Sequence, residues 1–103
     1  MTVSTHVLDA VRGVPAGGVG VRLERGDGTL LAAGVTGRDG RVADFAGAIE
    51  PGVYRLRFDT ENYLGSETFY PEVVVTFRVR SAEAHHHVPL LLSPFAYSTY
   101  RGS

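Results

Sequence analysis

The 103-residue chain contains no cysteine, and none of its ten basic residues is a lysine. Without cysteine there is no disulfide framework, no thiolate metal ligand and no cysteine nucleophile. The all-arginine basic set carries no functional reading of its own. No apolar run approaches the length of a membrane span. The stretch Met1–Asp9 has neither the basic n-region nor the apolar h-region of a secretory signal. The expectation is a soluble, cytoplasmic protein. A net charge of −1 and a pI near 6.4 leave no clustered basic excess, the feature that a nucleic-acid or membrane surface partner requires. Also missing are a Gly-x-Ser-x-Gly elbow, a phosphate-binding loop and a dinucleotide fingerprint.

What is present is a β pattern. Short apolar stretches are separated by Gly, Pro and Asp clusters at close spacing, the signature of a sandwich or barrel. At this length one domain over residues 1–103 is expected. Val3–Leu8 reads as the first strand and residues 13–18 as a loop. Val19, Val21 and Leu23 alternate with Gly20, Arg22 and Glu24 as a half-buried strand. Asp27-Gly28 marks a turn, residues 30–36 the third strand, and residues 37–40 the next turn. Residues 42–52 look irregular. Tyr54, Leu56 and Phe58 alternate with Arg55, Arg57 and Asp59, the clearest period of two in the chain. One helical turn fits within residues 59–66, with Asp59 or Thr60 as N-cap. Residues 73–79, 86–92 and 95–101 complete the strands.

The segment His86–Leu92 carries nothing polar after His87. A strand covered on one face only should alternate. Its second face therefore calls for a cover, and in so short a chain a homo-oligomer is the favoured one; an ordinary central strand with an apolar outer face is the plainer alternative.

Few residues bear chemistry. In a strand, His6 shares a face with Ser4 and Leu8, and His85 and His87 share a face that excludes His86. Taken singly, a histidine is more often a packed or surface side chain than a functional one. The His85/His87 pair is a weak metal signal, because a stable zinc site needs three or four ligands. Arg41 follows a tight turn, where a solvated arginine is the default; its fork of donors also suits a planar, oxygen-rich ligand. The closing residues Tyr97-Ser98-Thr99-Tyr100-Arg101-Gly102-Ser103 carry two tyrosines, hydroxyls and an arginine, which reads as part of a site although chain ends usually fray. These residues alone support an all-β domain with a histidine-bearing face.

Five blocks add a resemblance. Residues 4–9, Ser-Thr-His-Val-Leu-Asp, and the Gly13–Arg22 segment look like the opening of the 5-hydroxyisourate hydrolases, the enzymatic branch of the transthyretin-like proteins. The turn Thr36–Arg41, the block His85–Pro94 and the ending Tyr-Arg-Gly-Ser resemble the same family. Two departures stand out: His86 stands where the family usually has Tyr, and Gly37 where it has Asn or Asp. The resemblance implies two four-stranded antiparallel sheets with one short helix, assembled as a homotetramer, a dimer of dimers with sites in the cleft between dimers. It implies hydrolysis of 5-hydroxyisourate, the small-molecule product of urate oxidation, to 2-oxo-4-hydroxy-4-carboxy-5-ureidoimidazoline, with no metal or cofactor. The catalytic set it implies is His6, Arg41, His87 and Ser103, with Tyr100 lining the substrate pocket. A transthyretin-type ligand carrier and a structural β-sandwich module are the rival readings; neither needs the histidines, the arginine and the ending together.

Overall fold

The structure, a computed structural model, describes residues 3–43, 45, 49–81 and 84–102. Nine strands and one short helix follow one another: β1 (Val3–Asp9), β2 (Val14–Pro15), β3 (Gly20–Arg25), β4 (Leu30–Val35), β5 (Arg41–Val42), β6 (Gly52–Asp59), α1 (Thr60–Leu64), β7 (Val73–Val79), β8 (His86–Leu92) and β9 (Tyr97–Thr99). They form two facing sheets. One is antiparallel, in the order β4-β3-β6-β7. The other has the order β2-β1-β8-β9, with β5 added beside β2 on the outer edge of β1.

The period of two in the sequence builds the core. Val21 and Leu23 of β3 stand opposite Phe58 and Leu56 of β6, and all four are buried. Val3 and Val7 of β1 meet them from the other sheet with Leu90 and Leu92 of β8. The Thr5 hydroxyl shares that inner face without an unpaired polar atom, because it donates to the Val88 carbonyl at 2.6 Å. Asp59 caps α1 by accepting from the Asn62 N–H, and Gly65, with φ near 97°, ends it.

The two-sheet sandwich with one short helix is the architecture expected, and its detail differs in three places. β1 and β8 run parallel rather than antiparallel, in register from Val3 opposite His86 to Asp9 opposite Leu92. The chain between them builds the other sheet before coming back to the same end, so the two strands enter in the same direction. Residues 14–15 and 41–42 are short strands rather than loop, too short to leave a periodic signal. β9 spans only Tyr97–Thr99, because residues 93–96 turn: Ser93 donates to the Ala96 carbonyl through both its N–H and its hydroxyl.

The turn before β5 is the fold's main service to the site. Gly37 N–H donates to the Arg41 carbonyl at 3.0 Å, Gly40 N–H to the Gly37 carbonyl at 2.9 Å, and Asp39 Oδ1 accepts from Arg41 N–H at 3.0 Å. Gly40 carries φ near 77°, and its carbonyl accepts from Val7 N–H at 2.7 Å. A Cβ there would run into the Val7 carbonyl oxygen. Only glycine satisfies both conditions. Gly40→Ala should therefore lower unfolding free energy by about 1–3 kcal/mol, read as a lower urea midpoint, whereas alanine at Gly13, where a Cβ meets nothing within 4 Å, should cost less.

Among the described residues no helix is long and apolar enough to cross a membrane.

Candidate active site

The outer face of the first sheet carries the histidines. On β1, Ser4, His6 and Leu8 alternate away from the core-facing valines. The register of β1 with β5 places His6 directly opposite Arg41, and the register of β1 with β8 places Ser4 opposite His87 and His6 opposite Pro89. His6 is thus flanked by Arg41 on one side and by the strand of His87 on the other. These residues lie far apart in the chain and become neighbours only because β1 is the shared middle strand.

A single hydroxyl ties two histidines together. Ser4 Oγ lies 2.7 Å from His87 Nδ1 and 2.8 Å from His85 Nε2. Ser4 itself is buried. His87 Nδ1 is thereby occupied, and its Nε2 is the ring nitrogen left for chemistry. His6 Nε2 is a buried nitrogen with no hydrogen-bond partner among the described residues.

Electrostatics keep His87 a neutral base. Burial comes first in pushing its pKa below the usual 6.5, and the Arg41 charge, with the neighbouring His6 and His85 rings, adds to the shift. Neutral imidazole at pH 7 is the form that can accept a proton.

The chain ending is drawn to the same place. Thr99 pairs with Leu90, and Gly102 forms a bridge with His87, its N–H donating to the His87 carbonyl at 2.9 Å. Tyr100 falls between these two pairs, is largely exposed and lines a groove shared with His86, His87 and Arg101. A Cβ on Gly102 would collide with the His87 ring, so glycine lets the backbone lie against the imidazole edge. Ser103 lies outside the described residues.

His86 points the other way, as the alternation of β8 requires. It is 6% exposed and lies at the floor of a groove of about 320 Å³ between β7 and the β8–β9 pair, beside Phe77, Thr99 and Arg101. Its Nδ1 is buried without a partner among the described residues. Burial is the main cause of its lowered pKa, with the Arg101 charge second and His85 a further contribution, opposed by a backbone hydrogen bond involving Ala84.

The expected site residues His6, Arg41 and His87 are therefore brought together on one face, with Tyr100 at its side and His86 apart from them. The residue that the sequence reading passed over is Ser4. Its shared face with His6 was visible in the period of two; its place between two histidines depends on the β1–β8 register. Among the described residues no group of three or more His, Cys, Asp or Glu side chains is arranged to hold a metal ion.

A family model described as HIUase/Transthyretin family matches residues 3–102. The chain belongs to this family. It is 44% identical over 110 residues to the 5-hydroxyisourate hydrolase of Mus musculus, a match covering 97% of this chain and 93% of that protein. It is 42% identical over 120 residues to the uric acid degradation bifunctional protein TTL of Arabidopsis thaliana, of which the match spans 37%. The structure of Klebsiella pneumoniae 5-hydroxyisourate hydrolase superimposes with a TM-score of 0.90 at 39% identity, covering all of both chains. Sea bream transthyretin, solved with thyroxine, superimposes with a TM-score of 0.89 at 35% identity over 99% of this chain and 95% of that one. Within the family, overall shape therefore does not separate hydrolase from carrier, and the decision rests on the side chains of the outer face.

The lowered pKa values of His86 and His87 have a consequence for stability. The native state binds fewer protons than the unfolded chain once pH falls to the ordinary histidine range, so both groups destabilise the fold as pH drops through about 6.5 and below. Unfolding free energy should fall from neutral pH toward about pH 5, and His86→Phe should make the fall shallower by up to one proton's worth of slope. Denaturant titrations across that range check it; an unchanged slope in His86→Phe would contradict the placement of His86.

Proposed function

We propose that this hydrolase of the HIUase/Transthyretin family acts on 5-hydroxyisourate in urate degradation, opening the N1–C6 amide bond to give 2-oxo-4-hydroxy-4-carboxy-5-ureidoimidazoline. The observation that carries the reading is His6 held between Arg41 and the strand of His87 on one sheet face. Relatives 41–45% identical that bear the name 5-hydroxyisourate hydrolase support it.

Amide hydrolysis asks for three things: an activated water, a held oxyanion and a proton for the leaving nitrogen. His87, neutral at pH 7, takes the proton of the attacking water through Nε2. Arg41 stabilises the negative charge that develops on the C6 oxygen, its rigid fork matching a planar, oxygen-rich ring. His6 returns a proton to the leaving N1. Ser103 orients water or substrate, by its hydroxyl or its terminal carboxylate, and Tyr100 lines the pocket. The atoms balance: water adds OH to C6 and H to N1.

The same face is the reason for an assembly. Pro89 is buried and Leu91 half-buried on the outer side of β8, and Tyr100 of the adjoining segment is an exposed aromatic. We read this face as covered by a second copy, in a homotetramer built as a dimer of dimers with the sites in the cleft. Sedimentation of the purified protein should give four times the chain mass, and a monomer at micromolar concentration would contradict the assembly.

The rival within the family is ligand carriage, which sea bream transthyretin with thyroxine exemplifies. A carrier has no use for two histidines and an arginine gathered on one sheet face. Generating 5-hydroxyisourate in place from urate and urate oxidase, and following its decay optically, separates the two. The wild-type protein should accelerate the decay. His6→Ala and His87→Ala should each lower kcat by about a hundredfold or more, the usual contribution of an acid–base group. Decay at the spontaneous rate with folded wild-type protein would favour the carrier.

A further inference from the structure

The two short contacts of Ser4 Oγ constrain the protons of the site. A serine hydroxyl has one proton and two lone pairs. Its neighbours are two imidazole nitrogens, His87 Nδ1 at 2.7 Å and His85 Nε2 at 2.8 Å. Both distances are those of well-formed hydrogen bonds. One hydroxyl cannot donate to both, so at least one ring must present an N–H to it. In the first arrangement Ser4 donates to His87, whose Nε2 then carries the hydrogen and whose lone pair is spent on Ser4. In the second, His87 donates through Nδ1–H, Ser4 turns its own proton to His85, and His87 Nε2 is left as a bare lone pair.

Three observations favour the second. The fixed charge that acts on the His87 ring is positive, the guanidinium of Arg41. The guanidinium of Arg41 offers donors only, and a lone pair turned to that side is stabilised where an N–H would be repelled. Ser4 is buried, so its proton cannot be handed to bulk solvent. His85 is exposed and supplies an acceptor that can exchange protons with water.

We propose that Ser4 and His85 are positioning residues for the reaction: Ser4 accepts from His87 Nδ1–H and donates to His85 Nε2, which holds His87 in the tautomer whose Nε2 lone pair faces the substrate. The role assigned to them rests on the hydrolase reading above. Neither residue touches substrate; both act through His87, as the partner of a catalytic imidazole commonly does. The tail packs on the same ring from the other side, since Gly102 lies against its edge.

The assignment is read directly by long-range proton–nitrogen correlation spectra of the full-length protein with labelled histidine rings, above neutral pH. Wild-type His87 should show a protonated Nδ1 and a bare Nε2, and Ser4→Ala should lose this preference. A protonated Nε2 in the wild type, or an unchanged spectrum in Ser4→Ala, would overturn the proposal. In turnover, Ser4→Ala should lower kcat about tenfold or more with KM within about twofold, since the tautomer acts on the chemical step. Ser4→Thr, which keeps the hydroxyl, should restore most of it, and equal loss in both variants would count against the proposal. Should Ser4→Ala fail to fold, His85→Ala at an exposed position serves instead: the freed Ser4 proton should turn to His87 and shift its tautomer, and no shift would refute the assignment. The two readings fail separately. A wild type with the expected tautomer and no acceleration of 5-hydroxyisourate decay sinks the hydrolase reading alone, whereas an active wild type with Nε2–H on His87 sinks the Ser4 assignment alone.

Discussion

The parallel pairing of β1 with β8 is the contact on which the site depends. It joins residues 3–9 to residues 86–92 in unbroken register. Because side chains alternate along both strands, this one register decides which histidines meet. With Ser4 opposite His87 and His6 opposite Pro89, the reactive side chains fall on the outer face and the valines and leucines on the inner one. A slip by one residue would bury His6 and His87 in the core and turn Val7 and Leu90 to the outside. The burial of Val3, Val7, Leu90 and Leu92 therefore holds the site in place without touching it. The remaining pieces hang on the same strand: β5 brings Arg41 to its free edge, and β9 with Gly102 brings the chain ending to the far side of β8.

Placing positive charge around a histidine sets its chemistry. Burial opposes protonation of His87, and the Arg41 charge, with the neighbouring His6 and His85 rings, adds to it. The cost is a fold that weakens in acid. The return is an imidazole that stays basic in form at neutral pH beside a guanidinium ready for an oxyanion. His86, one residue away, is also shifted downward by burial, but on the opposite face and beside Arg101. It stands where the family resemblance leads one to expect tyrosine, and its buried Nδ1 lacks a partner among the described residues. The alternation of β8 is what separates His87 on the outer face from His86 on the inner side of the sandwich.

Much of this was legible beforehand. The alternation at Val21, Leu23, Leu56 and Phe58 announced the core strands, and Asp59, one of two N-cap candidates, marked the start of the helix. The grouping of His6, Arg41 and His87 came from resemblance, not from spacing, because nothing in a linear sequence states that β1 pairs with β8 in parallel. Two-residue strands such as Arg41–Val42 leave no periodic trace, so Arg41 read as a solvated turn residue. Ser4 escaped notice for a related reason: a serine beside a histidine is common, and its importance lies in the two nitrogens that the register sets around its hydroxyl.

The central claim is that the outer face directs water to C6 of 5-hydroxyisourate. Carbon-13 spectra of substrate labelled at C6, hydrolysed in oxygen-18 water, test it most directly. The account predicts one heavy oxygen in the new C6 carboxylate, formed faster than without protein and slowed to near the spontaneous rate in a folded His6→Ala/His87→Ala protein. Heavy oxygen arriving elsewhere, or undiminished rate in the double variant, would contradict it.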